Sequence, residues 1–149
     1  MKRPRVQRAI KIGGMMSQVE VTYEGNQRCA ALNTKNGKRV TVDCPMTKGE
    51  EFGPDSLVAA GLGACMLISM ATFAERHGLD VTGSRVDVDV SLGGKPETRL
   101  SAIDVTIRVP RTFAETEQVS LEKAAATCPI THSFRPDTEI TTHFEFGNA

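Results

Sequence analysis

The sequence predicts an α+β fold in a single domain, with its elements in the order β-β-β-α-β-β-α-β. Several segments alternate apolar and polar residues, which is typical of strands with one buried face. Two other segments have helical character and divide these strands into groups. The chain has 149 residues, the length of one domain, and contains neither an internal repeat nor a linker.

Three strands are predicted before the first helix. Val19, Val21 and Tyr23 alternate with polar residues, as in a half-buried strand. An Asn-Gly pair at 36–37 is a strong hairpin signal, so the strands on either side of it should pair. The predicted strands cover residues 19–23, 27–32 and 39–43, and a loop follows at 44–53.

A long uncharged helix is predicted next. Pro54 and Asp55 favour a helix start, because proline suits the first turn and an acid favours the positive end of the helix dipole. No charged side chain occurs in residues 56–74. This length approaches that of a membrane span, but Gly61, Gly63 and many alanines make it a weak one. A helix that is apolar all round is expected at the centre of a soluble fold.

The second half of the chain predicts two strands, a helix and a last strand. Residues 86–92 and 103–109 alternate strictly, which predicts two long antiparallel strands with one face in water. Residues 116–127 form a second helix, which Pro129 interrupts. The last strand is predicted at residues 140–146.

Charge and composition exclude several functional classes. Lys plus Arg and Asp plus Glu are 18 each, so there is no global basic field for holding nucleic acid. Residues 1–15 are predicted to be a loose basic extension of the domain at 16–149; alternatively they are an arm that contacts anions or a partner chain. No apolar run of signal-peptide length follows the basic residues, so we expect a cytoplasmic protein without membrane contact.

Two of the four cysteines are candidates for thiol chemistry. No CxxC motif occurs, which excludes thioredoxin-type and zinc-ribbon sites. Cys65 lies inside the uncharged helix, where a cysteine is most often a small hydrophobic residue. Pro129 fits the first position of a new short helix, which would place Cys128 at an N-cap, where backbone N–H groups stabilise a thiolate. Cys65 and Cys128 could be a nucleophile and a resolving cysteine, and their spacing leaves open whether they meet.

A reactive thiol needs a cation that lowers its pKa, and a buried cation needs an acid. Arg28, on the second strand, is the candidate cation, and Asp55 is the candidate acid. The alternatives are a solvated strand residue and a simple helix cap. Glu50 or Glu51 could also contact Arg28 in place of Asp55. No paired-ligand motif of His and Cys is present, so we expect neither a metal nor a cofactor.

Two segments resemble the OsmC/Ohr family: GPDSLVAAGLGACMLISMATFAERHG at residues 53–78 and TCPITHSFRPDTEITTHFEF at 127–146. The family shows a Pro-acid-x-Leu helix start, a cysteine ten residues after the acid, and a Cys-Pro pair before the last strand. Residues 21–52 are similar to its N-terminal sheet. The resemblance implies an OsmC-like fold, with antiparallel sheets around a central buried helix that carries a cysteine.

The resemblance also implies a function and a set of roles. It implies a thiol-dependent peroxidase that acts on organic hydroperoxides in oxidative stress defence and uses a small or protein dithiol as reductant. Cys65 matches the peroxidatic cysteine, Cys128 the resolving cysteine with which it forms a disulfide, and Arg28 the arginine that supports the thiolate. Asp55 stands where the characterised peroxidases carry a glutamate, so this chain looks closer to the less characterised OsmC-like branch.

A homodimer with the site at the subunit interface is implied by the same resemblance. The uncharged helix predicts a dimer independently, because a domain of this size is too small to cover a helix that is apolar on all sides. We also expect a pocket beside Cys65 that favours an alkyl peroxide, lined by Leu62, Met66, Leu67 and Met70. Two other functions fit the same residues: a non-enzymatic module that binds a lipid-like ligand, and a thiol redox sensor.

Overall fold

The computed structural model describes residues 18–147, so the predicted basic extension at residues 1–15 lies outside the described residues. The chain divides into two compact units, one that ends at Gly53 and one that begins at Pro54. The assignment of residues 16–149 to one domain stays a prediction. All of the predicted elements within residues 18–147 are found, with bounds that shift by a few residues.

The first unit is a three-stranded antiparallel sheet in the order β1-β2-β3. The turn between β1 and β2 places Gly25, Asn26 and Gln27 at positive φ, a conformation that glycine and asparagine tolerate best. Arg28 lies directly opposite Asp43 in the register of β2 and β3. The strands are β1 (Val19–Gly25), β2 (Arg28–Asn33) and β3 (Arg39–Asp43).

The second unit contains two helices and a three-stranded sheet in the order β4-β5-β6. The central strand, β5, is antiparallel to β4 as predicted and parallel to β6. This sheet is therefore mixed, because the helix between β5 and β6 returns the chain to the end of the sheet where β5 began. The elements are α1 (Pro54–Arg76), β4 (Arg85–Gly93), β5 (Arg99–Val109), α2 (Glu115–Ala126), a 3₁₀ turn (Thr131–Ser133) and β6 (Glu139–Phe146).

The core of the second unit lies between α1, α2 and β5. The apolar alternation of β5 places every second side chain in this core, as its sequence predicted. Helix α1 packs against α2 and β4, and Gly63 is where α1 and β4 approach closely. The largest fully buried side chains are Leu62, Met66, Met70, Ile103, Val105, Ile107, Val109, Leu121 and Cys128.

Helix α1 is a core helix, as predicted, but its burial is confined to one face. Leu62, Met66 and Met70 are buried, whereas Val58 is 42% exposed and Ile68 is 65% exposed. By length and composition α1 is also long and apolar enough to cross a membrane. About a third (33%) of its most apolar 18-residue stretch is buried inside the protein. A core helix meets the same criterion, and the packing of Leu62, Met66 and Met70 against β5 and α2 is that of a core helix.

Candidate active site

The structure brings the two predicted cysteines together. Cys65 lies in the middle of α1 and is partly exposed, and Cys128 follows the end of α2 and is fully buried. Their thiols are hydrogen-bonded to each other. The sequence left this contact open, and the packing of α1 against α2 creates it. Of the two cysteines, only Cys65 therefore has surface that solvent reaches.

The chain after α2 supplies backbone donors to both sulfurs. The predicted N-cap position of Cys128 is wrong: the 3₁₀ turn begins at Thr131, and Ile130 is its N-cap. The backbone N–H of Ile130 is nevertheless hydrogen-bonded to both Cys65 and Cys128, and the N–H of Thr131 to Cys128. The electrostatic stabilisation expected of an N-cap thus comes from the two residues after Pro129.

The hydrogen bond between the thiols affects the two cysteines in opposite directions. It raises the pKa of Cys65 above its ordinary value, as does burial, while the Ile130 N–H and the Ser69 hydroxyl act against this rise. Burial acts to raise the pKa of Cys128, but hydrogen bonds from Cys65, Thr131 and Ile130 outweigh it and lower that pKa. The two thiols titrate as a pair in which their hydrogen bond favours ionisation of Cys128 over ionisation of Cys65, so another group is needed to make Cys65 the thiolate.

Ser69 is a contact of Cys65 that the sequence analysis missed. It lies four residues after Cys65 on α1, a spacing that brings two side chains together on one face of a helix and could have revealed it. A cavity of about 390 Å³ opens beside it, between α1 and α2. Its lining includes Ile68, Ser69, Thr72, Phe73, Ala124 and Thr127.

The side chains that were expected to line a pocket beside Cys65 lie in the hydrophobic core or against it. Leu62, Met66 and Met70 are buried in the core, and Leu67 is partly buried against it. Their spacing along α1 places them on the face of the helix that packs into the core. The cavity lies on the adjacent face, which Ile68 and Thr72 share. The expected pocket lining is thus wrong.

Arg28 finds its acids within the first unit. Its Nη2 donates to Glu50 Oε2 at 2.7 Å and lies 3.7 Å from Asp43 Oδ2. The hydrogen bond to Glu50 and the charges of Glu50, Asp43 and Glu51 raise the pKa of Arg28, so the guanidinium stays charged. Asp43, whose side chain is fully buried, also accepts the backbone N–H of Glu50 at 3.0 Å.

Glu50 is thus the loop acid that the sequence analysis named as an alternative to Asp55. Asp43 was missed, although its place opposite Arg28 follows once the hairpin register is known. Asp55 lies in the first turn of α1, in the second unit. Its pairing with Arg28 and the roles of Arg28, Asp55, Cys65 and Cys128 stay predictions. Within residues 18–147, no three His, Cys, Asp or Glu side chains are grouped as a metal site would require.

Comparisons with known proteins identify similar sequences and folds. The family model described as OsmC-like protein matches residues 47–143. An organic hydroperoxide resistance protein of Xanthomonas axonopodis pv. citri (strain 306) is 28% identical over 94 residues, which are 62% of this chain and 66% of that protein. The chain thus spans just under two thirds of this relative. The matched family segment contains Asp55, Cys65 and Cys128 but not Arg28.

Solved structures share the fold over most of the chain. A protein of Psychrobacter arcticus 273-4, described as an osmotic stress induced and detoxification response protein, is 27% identical with a TM-score of 0.83. The match covers 88% of this chain and 97% of that one. An organic hydroperoxide resistance protein of Legionella pneumophila has a TM-score of 0.70 at 18% identity and covers 88% and 98% of the two chains; this likeness concerns the fold alone.

Proposed function

Because the chain belongs to the OsmC-like protein family, we propose that it is a thiol-dependent peroxidase that reduces organic hydroperoxides in the cytoplasm. The observation that carries the proposal is the hydrogen-bonded pair of thiols, one partly exposed and one fully buried. A nucleophile that a substrate can reach and a resolving thiol already in contact with it are what this chemistry needs. The name of the Xanthomonas relative supports organic hydroperoxides as the substrate class.

The difference in burial between the two cysteines supports an order of reaction in which Cys65 acts first. A peroxide can reach Cys65, whereas Cys128 has no accessible surface. Once the Cys65 thiol has given its proton to Cys128 across their hydrogen bond, the Cys65 thiolate attacks the distal oxygen of the hydroperoxide. The S–O bond forms as the O–O bond breaks. Cys65 becomes a sulfenic acid, and the alkoxide takes a proton from water to give the alcohol.

Cys128 completes the cycle. Its sulfur attacks the sulfenic sulfur, the S–S bond forms as the S–O bond breaks, and the thiol proton and the hydroxyl leave as water. A dithiol reductant then exchanges with the Cys65–Cys128 disulfide, becomes a disulfide itself and restores both thiols. No metal or cofactor takes part in this cycle.

Activation of Cys65 is assigned to Arg28. Cys65 lies ten residues after Asp55, so it is beyond the first turn in which the dipole of α1 acts. The contact with Cys128 raises the pKa of Cys65, which makes a cation necessary. The family resemblance assigns this cation to Arg28, with Asp55 as its acid. Asp43 and Glu50 hold the guanidinium in a defined position before any such contact.

We further propose that the protein is a homodimer. Val58 and Ile68 leave an apolar face of α1 open. In the first unit, Val19, Val21 and Tyr23 on β1 are each more than half exposed. Exposed apolar surface on both units is what a second copy of the chain would bury.

A peroxide-consumption assay tests the proposed function. The purified protein is supplied with a dithiol reductant and either an alkyl hydroperoxide or hydrogen peroxide. We expect turnover with preference for the alkyl hydroperoxide, no consumption by Cys65→Ser, and a single turnover by Cys128→Ser that leaves a sulfenic acid. Cys29→Ser is the matched control, because Cys29 lies on β2 and is not part of the Cys65–Cys128 pair. This variant should consume peroxide like the parent.

The same assay separates the competing functions. A Cys65–Cys128 disulfide that forms without turnover would indicate a thiol redox sensor, which the contact between the two thiols also permits. If first oxidation is lost in Cys128→Ser and retained in Cys65→Ser, the two roles are reversed. Peroxide loss that neither substitution affects contradicts the peroxidase proposal.

A further inference from the structure

A group of five charged side chains lies where the turn between β4 and β5 meets the segment before β6. They line a cavity of about 190 Å³, and all of them belong to the second unit. Three are positively charged and two are negatively charged, so the group carries a net positive charge. Its members are Lys95, Glu97, Arg99, Arg135 and Asp137.

Asp137 holds the two arginines of this group together. Its Oδ2 accepts a hydrogen bond from Arg99 Nη2 at 2.6 Å, and its Oδ1 accepts one from Arg135 Nε at 3.0 Å. The hydrogen bond from Arg135, together with the charges of both arginines, lowers the pKa of Asp137, so this carboxylate stays ionised at neutral pH. A guanidinium has five N–H groups, and each arginine gives Asp137 one of them. Both side chains therefore retain donors for a further acceptor.

Arg99 is also fixed against the turn between β4 and β5. Its side chain is 29% exposed, and its guanidinium lies so close to Gly94 that a Cβ at this position would overlap Arg99 Nη1. Gly94 has φ +106°, a backbone conformation that favours glycine. Arg99 Nε is buried, and within residues 18–147 no group accepts a hydrogen bond from it. Buried donors without an acceptor are rare, so Asp137 alone does not satisfy this arginine.

We propose that this cavity binds a phosphate group, either as the free ion or as the monoester of a small molecule. Arginine binds phosphate through paired N–H groups, and lysine adds a point charge. The three cationic side chains come from three separate segments: the turn after β4, the start of β5 and the chain before β6. The four oxygens of a tetrahedral phosphate can accept from several directions, whereas a carboxylate offers two oxygens in one plane.

The size of the cavity limits what it can enclose. Pockets for drug-sized ligands measure about 300–1,000 Å³, so a cavity of about 190 Å³ would enclose the phosphate group and leave the rest of a monoester in solvent. This site is independent of the function proposed above, because the peroxidase cycle uses none of its residues.

Phosphate binding is measured by NMR on the full chain with isotopically labelled amides. The titration is made at neutral pH and constant ionic strength, because salt screens exposed charges. We expect the amide signals of Gly94, Arg99 and Arg135 to shift and reach saturation as sodium phosphate replaces sodium chloride. Sodium acetate, titrated in the same way, should bind more weakly. Methyl phosphate distinguishes the two sources: binding as tight as that of inorganic phosphate indicates a monoester, and weaker binding indicates the free ion.

Substitutions test whether the named side chains form the site. Arg135→Gln should weaken phosphate binding about tenfold, as expected for the loss of hydrogen bonds to a charged group. The Arg135 side chain is 71% exposed, so this variant should fold like the parent. Gly94→Ala keeps every charge but displaces the Arg99 guanidinium, so it should also weaken binding. Arg85→Gln is the matched control, because Arg85 begins β4, at the end of the strand away from this turn, and its loss changes the net charge equally.

The proposal is overturned if the amide shifts do not saturate, if acetate binds as tightly as phosphate, or if Arg135→Gln binds phosphate within twofold of the parent. It is also overturned if Arg85→Gln weakens binding as much as Arg135→Gln, because the attraction would then depend on net charge and not on a defined site. Since the titration contains no peroxide, its outcome does not depend on the peroxidase function.

Discussion

Replacing Gly63 by alanine should test how closely α1 approaches the sheet. A Cβ at this position would lie 2.9 Å from Val86 Cγ1 and 3.1 Å from Val88 Cγ2. Ordinary carbon–carbon contacts are about 3.5–4.0 Å, so the helix must lift or the valines must rotate. Overpacking of this kind costs about 1–3 kcal/mol. Alanine is favoured over glycine within a helix by up to about 1 kcal/mol, which offsets part of this cost. We therefore expect Gly63→Ala to lower the free energy of unfolding by about 1 kcal/mol.

Gly61→Ala supplies the matched control on the same helix. A Cβ there would have no atom within 4 Å, so only the gain in helix propensity is expected. The difference in unfolding free energy between Gly61→Ala and Gly63→Ala therefore isolates the overlap, about 1–3 kcal/mol. Urea denaturation of both variants at one protein concentration, under reducing conditions, measures it. Equal stability of the two variants would refute the close packing of α1 on β4.

Three further predictions concern the site and the dimer. Cys128→Ala removes the contact that raises the pKa of Cys65, so the pH profile of Cys65 alkylation should move to lower pH; an unchanged profile, or a move to higher pH, contradicts this. Arg28→Ala should slow the first oxidation of Cys65 in stopped-flow measurements with an alkyl hydroperoxide, and Arg39→Ala, an exposed arginine of β3, should not. Light scattering at micromolar concentration should give a dimer. Ile68→Glu should convert it to a monomer, whereas Leu92→Glu, on exposed β4 surface, should not; a monomeric parent contradicts the shared interface.

The regular elements could be predicted because their signals are local. The alternation of residues 103–109 identified β5 and its buried face, and the uncharged segment with Pro54 and Asp55 identified α1 and its first turn. The direction of β6 could not be predicted in this way. Alternation shows which face of a strand is buried and carries no information on whether its neighbour is parallel or antiparallel.

The errors at the site arise where one residue pattern fits two environments. An apolar stripe on α1 is equally suited to a pocket and to a core, and the packing of β5 and α2 against it made it core. Cys128 was predicted to be an N-cap because Pro129 suits the first position of a helix. The 3₁₀ turn begins two residues after Pro129, at Thr131, so its N-cap is Ile130. The backbone N–H groups of Ile130 and Thr131 still contact the cysteines. Their position depends on the direction of the chain after Pro129 and not on the residue at which the 3₁₀ turn begins.

By itself, the sequence determined which residues could react and on which elements they lie: a cysteine within an uncharged helix, a second before a proline, and an arginine on a strand. Only the tertiary structure decided that the two thiols touch, that Ser69 joins Cys65 and that Asp43 and Glu50 hold Arg28. The physical reason is that helix and strand periodicity depends on neighbours a few residues apart. A hydrogen bond between α1 and the end of α2 depends on how those helices pack, which is set by side-chain shape across the whole core.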